Sequence, residues 1–62
     1  MPTITINWLE GKSDDVKRKV VTGITDVIQQ NLGVDKMNVN IIINDLKKNN
    51  FAKGGVLAQD QK

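Results

Sequence analysis

The chain reads as an α+β protein: a single βαβ unit with parallel strands and a short C-terminal hairpin, completed by oligomerisation. Three stretches predict this. Apolar residues alternate with polar ones from Thr3 to Trp8, recur at helical spacing from Val16 to Leu32, and alternate again from Met37 to Leu46. Two strands joined by a helix of this length run parallel, with a right-handed crossover.

The first strand begins almost at once. In "TITINW", Ile4, Ile6 and Trp8 point to one side and Thr3, Thr5 and Asn7 to the other. Trp8 keeps the alternation and is expected to pack on the helix. "LEGKSDD" then turns the chain: Gly11 supplies backbone freedom, Ser13 is an N-cap, and Asp14 and Asp15 complement the helix dipole. Val16, Val20, Ile24, Val27, Ile28 and Leu32 form one apolar stripe, and Gly33 is the expected C-terminal stop. Gly23 lies inside this helix at a cost of about 1 kcal/mol relative to alanine. It is read equally as tolerated drift or as a point of close backbone approach.

"MNVNIIINDL" supplies the second strand, with Val39, Ile41 and Ile43 on one face and Asn38, Asn40, Ile42 and Asn44 on the other. In the tail, Gly54-Gly55 marks a turn flanked by Phe51 and by Val56-Leu57, which predicts a small hairpin able to reach a neighbouring subunit.

The 62 residues make one domain spanning 1–62. A chain this short buries only about 60% of the surface that it exposes when unfolded. It contains no cysteine and no histidine, so a disulfide framework and the usual zinc sites are excluded, and no metal or cofactor is expected. Self-association is the remaining route to stability, because a two-stranded parallel sheet does not stand alone. Nine basic residues against seven acidic leave a net charge of +2, without a basic stripe or stacking rings, so no nucleic-acid partner is expected. The absence of a signal peptide or a bilayer-length apolar run predicts a soluble cytoplasmic protein with no membrane association.

The inventory of acid–base groups is short. With no His, Cys or Tyr, no ordinary side chain titrates near neutral pH. Removal of Met1 would leave Pro2 with a secondary amine, and burial or nearby cations would depress its pKa towards neutrality. Anchored at the start of a strand, such an amine is a candidate general base. The competing reading is that Met-Pro is simply a processing-friendly beginning. With Met1 retained, the Pro2 nitrogen is an amide and has no basic lone pair.

"MPTITINWLEGKSDD", the βαβ pattern and "NNFAKGG" after the second strand together resemble the 4-oxalocrotonate tautomerase family over nearly the whole chain. The resemblance implies dimers of βαβ units assembled three at a time into a homohexamer. It also implies keto–enol tautomerisation of small enol or 2-oxo acid substrates. Position by position, Pro2 matches the catalytic base and Phe51 the aromatic wall of the site. Lys12 stands where the family has an arginine that binds a substrate carboxylate. Asn40 stands where it has a second arginine, usually from a neighbouring subunit, that polarises the substrate carbonyl. Asn38 takes a position often held by serine and is expected on the same strand face as Asn40. Lysine keeps the charge at position 12 without the bidentate fork, and asparagine keeps only a neutral donor at position 40. Read without the resemblance, Phe51 fits a core position, Lys12 a solvated loop, and Asn38 and Asn40 the polar lining of an oligomer interior. The alternatives to a tautomerase are a non-catalytic oligomer of the same fold and a weakly active homologue whose true reaction differs. Hydration, dehalogenation or decarboxylation ranks last, because no acidic water-activating residue is placed by the sequence.

Overall fold

A computed structural model describes residues 1–61. Strand β1 (Thr3–Leu9) leads through the Glu10–Ser13 loop into helix α1 (Asp14–Leu32). A 3-10 turn at Lys36–Asn38 introduces strand β2 (Asn40–Leu46). The tail carries two short strands, β3 (Ala52–Lys53) and β4 (Val56–Leu57), and ends in a second 3-10 turn at Ala58–Asp60. β1 and β2 pair in parallel from Thr3↔Asn40 to Leu9↔Leu46, and β3 pairs antiparallel with β4. The expected βαβ unit and C-terminal hairpin are both present.

Local chemistry explains the joints. Ser13 has extended backbone and its hydroxyl accepts from the Val16 N–H, satisfying one of the free donors at the helix start. Gly33 adopts φ 68° and donates to the Gln29 carbonyl, a left-handed stop that a side chain would strain. Gly54 and Gly55 have φ 62° and 80°, the two positive angles that a two-residue hairpin turn requires.

Two expectations need correction. The second strand starts at Asn40 rather than Met37, because Asp35 caps a tight turn first. Its carboxylate accepts from the Met37 N–H at 2.9 Å, and its carbonyl accepts from the Asn38 N–H at 2.9 Å. Asn38 therefore sits in that turn and shares no strand face with Asn40. The helix stripe is present as expected, and one subunit covers only part of it. Val20, Ile24 and Ile28 are half-buried, whereas Val16, Val27 and Leu32 stay exposed, because one two-stranded sheet is narrower than the stripe. At Gly23 an added Cβ would meet nothing within 4 Å outside its own helix backbone, so among the described residues nothing crowds it.

Among the described residues none is fully buried, and Ile42 on the sheet face opposite the helix is 50% exposed. The accessible surface is 4830 Å², against about 4000 Å² for a compact monomer of this mass. The radius of gyration is 14.7 Å, against about 11 Å for a compact chain of this length. Both excesses describe an extended subunit that leaves large apolar side chains such as Val27, Leu32 and Ile42 exposed. Among the described residues no helix is long and apolar enough to cross a membrane.

Candidate active site

The parallel register puts the beginnings of both strands at one edge of the sheet and their ends at the other. Pro2 lies half-buried at the first edge, where its carbonyl accepts from the Asn40 N–H at 3.0 Å. This bond extends the ladder by one residue and holds Pro2 against the start of β2. Met1 projects into solvent at 83% exposure. Asn40 is exposed and, by strand alternation, shares the outer face with Ile42 and Asn44, where the Asn44 amide donates to the Asn7 side-chain oxygen at 2.9 Å. Asn38 stands at the same edge, exposed, within the turn before β2.

Lys12 and Phe51 lie at the opposite edge. The Glu10 N–H donates to the Leu46 carbonyl at 2.8 Å, closing the ladder there. The Lys48 N–H donates to the Glu10 carboxylate at 3.3 Å, tying the two exit loops together. The Lys12 ammonium donates to the Leu9 carbonyl at 3.1 Å and sits 5.6 Å from the centre of the Trp8 ring. Phe51 is 43% exposed, and its carbonyl accepts from the Ala58 N–H at 2.7 Å as the hairpin folds back. Strands rise about 3.3 Å per residue, so roughly 20–25 Å of sheet separates Pro2 from the Lys12 loop. One subunit thus brings together Pro2, Asn40 and Asn38, and holds Lys12 and Phe51 apart from them.

Two concavities among the described residues lie elsewhere. These open depressions of about 300 and 390 Å³ run along α1, both lined by Thr22 and Asp26, and neither touches any of the five candidate residues.

The sequence reading did not single out Asp45 or Lys17. The Trp8 indole N–H donates to the Asp45 carboxylate at 2.6 Å, and the Lys17 ammonium pairs with the other carboxylate oxygen. The Lys17 hydrogen bond, then that of Trp8, holds the Asp45 carboxyl below its ordinary pKa. The trio arises from register: every β1–β2 pair is separated by 37 residues, which sets Trp8 opposite Asp45 on the helix side, beneath Lys17. That offset follows only once Thr3 and Asn40 are known to start together.

The comparisons with known proteins agree over nearly the whole chain. The family model described as "Tautomerase enzyme" matches residues 2–61. A Listeria innocua protein described as a probable tautomerase is 43% identical over 60 residues, covering 97% of this chain and 98% of its own. Among solved structures, the 4-oxalocrotonate tautomerase homologue TTHB242 superposes with a TM-score of 0.93 at 29% identity, covering 100% of this chain and 98% of that one. The homologue YwhB superposes at 0.91 with 26% identity, covering 98% of this chain and 100% of that one.

Proposed function

Since this chain belongs to the tautomerase family, we propose that it is a cytoplasmic keto–enol tautomerase of small enol or 2-oxo acid substrates, with Pro2 as general base. Once Met1 is removed, the Pro2 amine takes a proton from one atom of the substrate and returns it to another. The double bond shifts between them, and no proton is gained or lost overall. Negative charge passes through the substrate oxygen on the way, and the Asn40 amide is the donor that meets it, with Asn38 adding a polar wall. Lys12 holds the substrate carboxylate, and Phe51 supplies an apolar wall that disfavours the protonated amine. The observation that supports this reading is the backbone hydrogen bond from the Asn40 N–H to the Pro2 carbonyl, which anchors the start of β1 against the start of β2.

The separation of Pro2 from Lys12 adds a structural requirement. Two copies arranged antiparallel about a two-fold axis bring the Lys12–Phe51 edge of one to the Pro2–Asn40 edge of the other. We place three such dimers in a homohexamer, as the family resemblance implies.

Substrate choice follows from the two positions where arginine is replaced. Loss of one oxyanion donor costs about 3–4 kcal/mol of transition-state stabilisation, and a lysine grips a carboxylate less well than a guanidinium. A monocarboxylate enol therefore suits this site better than a dicarboxylate. The same replacements favour the second reading, an oligomer that keeps the fold without the chemistry. Ketonisation of phenylenolpyruvate by protein with and without Met1 separates the two. Activity confined to the form lacking Met1 supports the proline mechanism, and equal rates from both forms rule it out.

A further inference from the structure

We infer that Trp8 and Asp45 are positioning residues for Lys12, a role that rests on the proposed carboxylate-binding function of that lysine. A lysine ammonium is a point charge on four flexible bonds, whereas an arginine fork is pre-organised. Here the ammonium is seated twice, on the Leu9 carbonyl at 3.1 Å and over the Trp8 ring at 5.6 Å. The ring is itself held in place. Its Nε1–H donates to Asp45, and Asp45 is paired to Lys17 on α1, so the helix, both strands and the Lys12 loop meet in one chain of contacts. The indole thus offers its face to Lys12 while its edge is fixed by a carboxylate. Swinging Lys12 away from the ring would leave its charge free to roam, and the carboxylate of a substrate would have to order it on binding.

The test is a double-mutant cycle read with two substrates, phenylenolpyruvate and its methyl ester, which lacks the carboxylate. Trp8→Leu and Asp45→Asn should each raise KM for the acid by about three- to fivefold, the range expected from one cation–π seat. kcat should change little, and KM for the ester should not move. In a Lys12→Ala background, Trp8→Leu should add nothing further. Trp8→Phe keeps the ring without the N–H and should fall between wild type and Trp8→Leu. Equal losses on acid and ester, or additive losses in the double variant, would mean that Trp8 only stabilises the fold and would overturn the proposal. If Lys12→Ala raises KM for the acid while Trp8→Leu and Asp45→Asn leave it alone, the positioning role fails and the site reading stands. If Lys12→Ala leaves KM unmoved, the carboxylate-binding role of Lys12 falls, and this role with it. An activity-independent measurement accompanies the cycle. Trp8 is the single tryptophan, so its emission should shift in Lys12→Met protein. Unchanged emission would also overturn the seat.

Discussion

Pro2 and Asn40 are joined across the entrance of the sheet: the Asn40 N–H donates to the Pro2 carbonyl at 3.0 Å, one residue before the first register pair. The bond uses the one polar backbone group that proline retains, since its nitrogen has no hydrogen to donate. The pyrrolidine nitrogen is thereby left out of the ladder, on the side facing Met1. The bond therefore anchors Pro2 without involving the nitrogen to which the proposed mechanism assigns the proton transfer.

Activity should follow the ionisation of that one amine. Only the neutral form accepts a proton, so kcat/KM for ketonisation should rise with pH through the amine's pKa and then level off. Pro2→Ala leaves a primary amine nearby and should lower kcat/KM about ten- to a hundredfold, less than the roughly 10²- to 10⁴-fold of a whole general-base contribution. A pH profile without this limb, or a Pro2→Ala rate equal to wild type, counts against Pro2.

At position 40, Asn40→Arg replaces a neutral donor with a charged one and should raise kcat on 2-oxo acid enols about tenfold or more. Lys12→Arg should lower KM further, because a planar fork replaces a point charge. No gain from either in a folded oligomer would show that these side chains do not face substrate.

Assembly is checked by sedimentation. The uncovered surface and the absence of any fully buried side chain among the described residues leave a lone subunit marginal. The protein should sediment as a hexamer at micromolar concentration, and a folded monomer there would contradict the shared site.

Gly23→Ala should stabilise the helix by about 1 kcal/mol, since among the described residues a Cβ there meets nothing within 4 Å outside its own helix backbone. Thermal unfolding reads the effect. A fall in Tm would place a second copy's backbone against this position.

Acid should release the Trp8–Asp45–Lys17 trio. The Asp45 pKa is lowered in the folded protein, chiefly by the Lys17 hydrogen bond and then by that of Trp8. Its contribution to stability is therefore complete above the unfolded carboxyl pKa, about 3.9, and is lost as pH falls through the depressed folded value. Trp8 emission should hold steady at neutral pH and change only below about pH 4, and Asp45→Asn should remove that change.

The elements themselves were legible in the residues because each is a local matter. Alternation in "TITINW" and "NIIIND", the Ser13 cap and the Gly33 stop all depend on neighbours a few positions away, and the structure keeps every one. Pro2, Asn40, Lys12 and Phe51 are candidates through family likeness, which carries the position of a residue without its surroundings. What could not be read locally was anything set by register or by a competing turn. Asp35 outbids strand propensity at Met37 and Asn38 with two hydrogen bonds, moving Asn38 off the sheet. The 37-residue offset between paired strands places Trp8 on Asp45, and it also sends Lys12 to the far edge from Pro2. Pairing between strands sums over the whole length of the sheet, so a single residue's identity does not reveal its partner. For that reason the division of the candidate site between two edges emerges only when the strands are laid side by side.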